Sequence, residues 1–234
     1  MSDDTEASHS IDRTIRYKTE DVVHQIQEYN IDLKANHIYL LGEPQRSDHD
    51  AGEPGVEFAM ANRFIKNLNI LMRTSQDPIL IHMKTCGGDW HEGMAIYDAI
   101  RACPNPVTIL NYTHARSMSS LIFCAADRRV MMPHSTFMIH QGSSGFEGTY
   151  KQMQTFAKED ARCNTIMLDI YIDILKTSGS MSKWSRSRVK DWLTASMNGG
   201  EEVYFSAAEA TSLGFADAVF GAGGCYDWGA LLTF

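Results

Sequence analysis

The stretch PILIHMKTCGGDWHEGMAIYDAI (78–100) contains a strand, a glycine turn and a helix in succession. Pro78 to Met83 is a short apolar run, which is typical of a buried strand. After Gly87 and Gly88, apolar residues recur at helical spacing. Ligand sites in α/β units of this kind lie where a strand ends and a helix begins. The stretch therefore predicts an α/β fold and marks the glycine turn as a candidate site.

The same alternation of strands and helices continues on both sides of this stretch. Short apolar runs predict strands, and apolar residues at helical spacing predict helices. The predicted strands are 37–41, 107–112, 129–132 and 136–139, and the predicted helices include 19–30, 58–72 and 150–177. This order favours a mainly parallel sheet with helices packed on it.

The composition and net charge exclude several classes of protein. Of the 234 residues, 44% are hydrophobic, so the chain has enough apolar material for a core and is not a disordered tail. Its 21 basic and 29 acidic residues give a formal charge of −8. Such a balance lacks the basic footprint that nucleic-acid binding requires.

The cysteines and the N-terminus indicate the compartment. Five cysteines lie far apart without a CxxC pair, which is the usage of a reducing environment. The polar start MSDDTEASHS (1–10) has no signal-peptide core, and no apolar run reaches the roughly 18 residues that span a bilayer. We therefore expect a cytoplasmic protein with neither a membrane nor a nucleic-acid partner.

Known metal and nucleotide motifs are missing from the sequence. The nine histidines include no HExxH pattern, and no GxxxxGK[ST] phosphate-binding loop occurs. We therefore expect no metal site and no cofactor.

A serine and a histidine lie at two further strand ends. Ser117 stands between the strand 107–112 and the apolar helix that follows it, where free backbone amides can stabilise negative charge. His140 directly follows the strand 136–139 and could take a proton from a nucleophile as general base. A helix-capping serine and a histidine at a loop edge explain the same residue types. Residue types alone therefore leave the choice open, because catalytic triads are recognised by their geometry.

Four segments taken together resemble the ClpP family, the proteolytic subunits of the Clp protease. They are CGGDWHEGMAIYDAI (86–100), ARSMSS (115–120), MIHQ (138–141) and EVYFSAAEATSLGFAD (202–217). The distance from Gly88 to Ser117 is 29 positions, which is the spacing in the family. The resemblance covers about residues 37–220 and implies a ClpP/crotonase-like fold of repeated β-α units with a protruding helix-strand handle.

The resemblance also implies a domain organisation. We expect an N-terminal arm at 1–36, a peptidase domain at 37–222 with its handle at about 141–178, and a C-terminal tail at 223–234. The apolar tail is expected to pack against a neighbour or partner.

The same segments imply roles for particular residues. Ser117 resembles the family's nucleophile and His140 its general base. Gly88 and Met118 would supply the backbone amides of an oxyanion hole, with Gly87 beside them for peptide binding.

The third member of the implied triad departs from the family pattern. Glu202 stands four positions before Ser206, where the family usually has Asp, and Glu201 and Asp191 remain alternatives. Arg116 also departs, because the family normally has a small residue before the nucleophile. Its guanidinium would lower the pKa of the catalytic histidine unless it points away into a salt bridge.

The resemblance implies a serine endopeptidase that cleaves unfolded polypeptides inside a chamber. The chamber would be formed by stacked homo-oligomeric rings. The Gly-rich strand QGSSGFEGTY (141–150) and the helical pattern 150–174 would form the contact between rings, and an AAA+ unfoldase would be a partner. The long loop 42–55 and the unmatched N-terminal segment suit a divergent member that is phage-encoded or otherwise specialised. Three alternatives remain open: a non-catalytic assembly subunit, a phage capsid-maturation protease and a crotonase-type acyl-CoA enzyme.

Overall fold

One eight-stranded sheet organises the described part of the chain, which in this computed structural model comprises residues 19–42, 53–222 and 229–232. The strands are β1 (Ile31–Asp32), β2 (His37–Leu41), β3 (Ile79–Thr85), β4 (Val107–Arg116), β5 (Arg128–Met131), β6 (Thr136–Ile139), β7 (Val203–Ser206) and β8 (Ala218–Val219). The expectations for residues 1–18, most of the loop 42–55 and most of the C-terminal tail lie outside the described residues.

The sheet is mainly parallel, as the alternation of elements predicts. Its principal order is β1-β2-β3-β4-β5-β8, and within it only β1 runs antiparallel to its neighbour. Strand β6 pairs in parallel with the last residues of β4, and β7 pairs antiparallel with β6. Besides its pairing with β3, long β4 therefore belongs to two further ladders, one with β5 and one with β6.

Seven α-helices connect and cover these strands in the described part of the chain. They are α1 (19–29), α2 (Phe58–Thr74), α3 (Trp90–Arg101), α4 (Met118–Cys124), α5 (Tyr150–Thr177), α6 (Arg186–Ser196) and α7 (Ala207–Leu213). None of the helices in residues 19–42, 53–222 and 229–232 is long and apolar enough to cross a membrane.

Local capping explains where the helices beside the candidate site begin. The Asp89 carboxylate accepts the backbone amides of His91 and Glu92, so α3 starts directly after the glycine turn. Ser206 and Glu209 form a capping box that ends β7 and starts α7.

Aromatic side chains fill the centre of the core beneath the site. Phe137 of β6 stacks on Phe215 with ring centroids 4.5 Å apart. Tyr171 of α5 meets the same ring edge-on, and its hydroxyl pairs with Ser120 of α4 at 2.6 Å. These contacts fix β6, α4 and α5 to one another, and all three elements border the candidate site.

Helix α5 has two different halves. Its 28 residues span about 42 Å at the usual rise per residue. Ile170, Tyr171 and Leu175 in the second half are buried, whereas Tyr150 and Met153 in the first half are exposed. The first half therefore projects from the body of the fold, as a handle does.

Two predicted elements differ from the observed ones by more than the usual one or two residues at an end. Strand β4 continues past the predicted end at residue 112 as far as Arg116, because its polar last residues pair with β6. The expected strand at 141–150 is wrong, since residues 141–149 form no strand and are exposed. A strand requires a pairing neighbour, and this segment has none in the described part of the chain.

The aromatic core generates a prediction of stability. Phe215→Ala removes a fully buried ring that contacts Phe137, Tyr171 and Phe205, so we expect a loss of about 3–5 kcal/mol in the free energy of unfolding. Urea unfolding followed by tryptophan fluorescence measures it. Phe58→Ala is the matched control, because the Phe58 side chain is 68% exposed, and its cost should stay within about 0.5 kcal/mol. Equal midpoints for the two variants would contradict this account of the core.

Candidate active site

Ser117 occupies a strained position between β4 and α4. Its φ of +54° with ψ of −130° lies where residues with a side chain rarely occur. The Ser117 side chain makes no capping hydrogen bond with α4, so the interpretation as a helix-capping serine is wrong. The strained backbone instead presents the hydroxyl to one side of the sheet end.

His140 faces this hydroxyl. The parallel pairing of β4 with β6 aligns Arg116 with Met138, which brings the ends of both strands together. The Nε2 atom of His140 lies 2.8 Å from the Oγ atom of Ser117, within hydrogen-bond distance. The two residues that sequence reasoning singled out are therefore in direct contact.

Burial controls the protonation of this histidine. Removal from water lowers the pKa of His140, and the negative charge of Glu202 opposes that shift in part. The net pKa lies below the ordinary histidine value, which favours a neutral imidazole at neutral pH. A neutral Nε2 without a proton can accept the hydroxyl proton of Ser117.

The glycine turn lies against the serine. Gly87 has a φ of +97° and Gly88 a φ of +150°, and Val56 pairs with this turn in parallel. The Val56 amide donates to the Gly87 carbonyl at 2.6 Å, and the Asp89 amide donates to the Val56 carbonyl at 2.9 Å. A Cβ atom at Gly88 would lie 2.3 Å from the Val56 carbonyl oxygen, so the close approach requires glycine.

Two backbone amides beside Ser117 are available. Within the described residues, neither the Gly88 amide nor the Met118 amide donates to a backbone carbonyl. Met118 begins α4, and the first amides of a helix have no partner inside it. Both amides can therefore bind an oxygen that develops negative charge next to the serine.

Glu202 lies opposite His140 but does not bind it. The antiparallel pairing of β6 with β7 aligns Ile139 with Val203, so His140 and Glu202 are the next opposed pair. The Oε2 atom of Glu202 accepts a hydrogen bond from the Tyr204 hydroxyl at 2.5 Å. Across residues 53–222, no hydrogen bond joins Glu202 to His140, although the carboxylate acts on the pKa of that histidine.

The two alternative acidic residues are exposed to solvent. Asp191 lies on α6 and Glu201 precedes β7, and neither one acts on the pKa of His140. Of the three carboxylates considered from the sequence, the structure brings Glu202 to the histidine.

Sequence reasoning missed Tyr204. The bond to Glu202 is the largest cause of its raised phenol pKa, and the nearby Arg116 acts in the opposite direction. The charge of Arg116 therefore acts on Tyr204 and not, as the sequence suggested, on His140. Side chains two residues apart in a strand point to the same face, so the sequence could have indicated that residues 202 and 204 lie side by side.

A cavity of about 410 Å³ opens beside the serine and the histidine. Met118, Leu121 and Met167 give it an apolar wall, while Glu159 and Asp160 of α5 line another side. Residues 140–145 also line it. The cavity is large enough for a side chain of a bound peptide, and the serine and the histidine are among its lining residues.

Comparison with known proteins identifies a family and individual relatives to which this chain is similar. The profile of the Clp protease family matches residues 52–222. An ATP-dependent Clp protease proteolytic subunit from Deinococcus radiodurans is 37% identical over 121 residues, which cover 50% of this chain and 58% of that protein. The proteolytic subunit 2 from Pseudomonas aeruginosa is 31% identical over 144 residues, which cover 60% of this chain and 71% of that protein. The matched stretch thus spans little more than half of the Deinococcus protein.

A solved structure shows the same fold. A mutant of ClpP1 from Listeria monocytogenes superposes with a TM-score of 0.64 at 18% identity, covering 85% of this chain and 96% of that one. The ClpP/crotonase-like α/β fold expected from the sequence is therefore confirmed. Since the family profile matches more than half of the chain and includes β3 to β8 with Ser117 and His140, the chain belongs to the Clp protease family.

Proposed function

We propose that this protein is a serine endopeptidase in which Ser117 is the nucleophile and His140 the general base. The contact of 2.8 Å between Nε2 and Oγ carries the proposal. Strain at Ser117, a neutral imidazole and two unpaired amides beside the hydroxyl support it. This combination at the rim of one cavity is the arrangement that acyl transfer requires.

The reaction would proceed through an acyl-enzyme. His140 takes the Ser117 proton as Oγ attacks the peptide carbonyl carbon, and the carbonyl oxygen becomes an oxyanion held by the amides of Gly88 and Met118. The imidazolium then gives its proton to the leaving amine, which breaks the peptide bond. Water attacks the ester with His140 again as base, and the acid product leaves with Ser117 restored.

Glu202 is the third member of the triad in this proposal. Its charge raises the pKa of His140 against the effect of burial, so it stabilises the imidazolium that forms during the reaction. The register of β6 and β7 supports this role over those of Glu201 and Asp191.

The substrate would bind as an extended strand. The turn at Gly87 and Gly88 already accepts one parallel neighbour at Val56, and residues 142–146 are exposed and unpaired within the described chain. A peptide between them would bind through its backbone, which tolerates many sequences and suits unfolded polypeptides.

Assembly into stacked homo-oligomeric rings is part of the proposal. Tyr150 and Met153 are exposed on the projecting half of α5, and Phe146 stacks on Phe156 beside them. A second copy of the chain is the partner that we propose for this apolar face. The relatives are named as ATP-dependent, and since the sequence lacks a phosphate-binding loop, we propose an AAA+ unfoldase as a separate partner.

We propose a cytoplasmic location, which the state of the cysteines supports. Cys86, Cys103, Cys124 and Cys163 are unpaired in the described part of the chain. Free cysteines suit a reducing compartment.

A non-catalytic assembly subunit is the second candidate function. The observation that favours it is the lack of a hydrogen bond between Glu202 and His140 in residues 53–222. A capsid-maturation protease would use the same chemistry on another substrate. Chemical labelling of the serine separates the catalytic candidates from the non-catalytic one.

Labelling with a fluorophosphonate tests the nucleophile. The purified wild-type oligomer should form one adduct, located at Ser117 by peptide mass spectrometry, and should hydrolyse a fluorogenic peptide. Ser117→Ala should abolish the adduct and lower the hydrolysis rate by roughly 10⁴-fold or more. Ser187→Ala is the matched control, because this exposed serine lies on α6 and is not among the residues that line the cavity, so both activities should remain. Wild-type protein that assembles but never labels would establish the non-catalytic alternative, and acyl-CoA turnover that survives Ser117→Ala would establish the crotonase-type one.

The pH dependence of kcat/KM tests the general base. His140 must be neutral to act, and its pKa lies below the ordinary value of 6.5, so kcat/KM should fall only as the pH drops through that lowered pKa. Glu202→Gln removes the charge that raises the pKa, so its acid limb should move to still lower pH with a reduced plateau. Circular dichroism at each pH separates titration from unfolding. An acid limb that Glu202→Gln leaves in place would refute the assignment of Glu202.

Substitution on the projecting half of α5 tests the assembly. Met153→Asp places a charge in the proposed contact between rings, so the particle mass measured by light scattering should fall. Met153→Leu keeps an apolar side chain of similar volume and should preserve the wild-type mass. Identical masses for the two variants would place the contact elsewhere.

A further inference from the structure

Two residues that depart from the family pattern meet a third one beside the catalytic pair. Arg116 is aligned with Met138 across β4 and β6, and Met138 is aligned with Tyr204 across β6 and β7. Residues that face one another across a ladder share one side of the sheet. The long side chains of Arg116 and Tyr204 therefore lie on the side that also carries His140 and Glu202.

The carboxylate of Glu202 is held by the tyrosine. The Tyr204 hydroxyl donates to Oε2 at 2.5 Å, a short bond of the kind that charged acceptors form. His140 bonds to Ser117 through Nε2, and within residues 53–222 its ring has no bond to a carboxylate. The side chain that should orient the imidazole is thus bound to another donor.

The positive charge of Arg116 near Tyr204 strengthens the hydrogen bond from Tyr204 to Glu202. Arg116 acts on the phenol in the direction of easier ionisation, and a phenol that ionises more easily is a better hydrogen-bond donor. Tyr204 itself is 52% exposed and lies on β7, whose described pairing is with β6 alone. Its ring can therefore leave the carboxylate without disturbing the core.

We propose that Tyr204 is a positioning residue that competes with His140 for the carboxylate of Glu202. This inference rests on the peptidase function proposed above. While the tyrosine bond exists, the Nδ1–H group of His140 lacks its charged acceptor, and the imidazolium formed during the reaction is less stabilised. When the bond opens, Glu202 accepts from Nδ1–H. A glutamate side chain has one methylene more than an aspartate side chain, which gives the carboxylate the reach for two partners.

Other charged groups around His140 do not explain its protonation. Asp89 and His91 face the cavity from α3, and Glu159 and Asp160 face it from α5. None of these four acts on the pKa of His140, whereas Glu202 does. Breaking the hydrogen bond between Tyr204 and Glu202 should therefore change the pKa of His140, because Glu202 acts on that pKa.

The substitution Tyr204→Phe tests the competition. It removes the hydroxyl and keeps the ring, so the carboxylate should move to His140. We expect kcat/KM for a fluorogenic peptide to rise about tenfold and the acid limb of its pH profile to move to higher pH. The double variant Tyr204→Phe/Glu202→Gln should lose both effects. Tyr29→Phe is the control, because this tyrosine is 55% exposed on α1 and should leave rate and profile unchanged.

A measurement without catalysis separates this inference from the peptidase function. Titration of histidine-labelled protein by NMR, with the His140 signal assigned through its loss in His140→Asn, reports the pKa directly. It should be higher in Tyr204→Phe than in wild type, and Glu202→Gln should cancel the rise. A lower kcat/KM in Tyr204→Phe, or a pKa of His140 that does not change, would overturn the competition. A different result would overturn the peptidase function and leave the competition standing: wild-type protein that shows neither hydrolysis nor labelling at Ser117, while the pKa of His140 is still higher in Tyr204→Phe.

Discussion

The close approach of Gly87 to Ser117 is the constraint on which the site depends. A Cβ atom at position 87 would lie 2.7 Å from the Ser117 Cβ and 2.8 Å from the Arg116 carbonyl oxygen. The glycine turn and the nucleophile can therefore share this space only because one of them has no side chain. The same contact brings the Met118 amide next to the glycine turn. The positions of both candidate oxyanion donors, the amides of Gly88 and Met118, therefore depend on this one close approach. The backbone strain at Ser117, of order 1–3 kcal/mol, persists because β4 before it is paired and α4 after it is buried.

Strand β4, which leads into Ser117, links this close contact to the pairing of the rest of the sheet. Its first part pairs with β5 in the main sheet, and its last residues pair with β6, which in turn pairs with β7. The nucleophile, the histidine and the acidic residue therefore come from three strand ends that are fixed by two consecutive registers. A slip of one residue in either register would turn a side chain to the opposite face and separate the groups. The registers of the sheet therefore determine where the three side chains of the site lie, whereas the helices mainly cover the sheet.

Periodicity and spacing were sufficient for much of this arrangement. The apolar run 37–41 is strand β2 with the same bounds, and the long helical pattern ends at Thr177 as expected. The resemblance to the ClpP family, supported by the 29-position distance from Gly88 to Ser117, implied that these two remote strand ends share one site, and in the structure Gly87 lies against Ser117. The end of β4 was not predictable from hydropathy, because the stretch 113–116 is not an apolar run and is strand through pairing with β6 and, at Ala115, with β3. Strand periodicity indicates only that Glu202 and Tyr204 share one face; their hydrogen bond was not predictable, since it depends on the rotamer of an exposed side chain.

The departures at Arg116 and Glu202 are linked, and their link bears on how the site should be understood. A site that had lost its function would be free to lose its costly features first, and the strained serine is the costliest of them. Here the strain is retained, the histidine stays within 2.8 Å of the hydroxyl, and the glycine turn keeps its close contact. The carboxylate of Glu202 has a specific donor in Tyr204, and Arg116 acts on that donor. Three side chains that depend on one another in this way favour a peptidase whose imidazole is adjusted through its acidic partner over one whose triad has decayed.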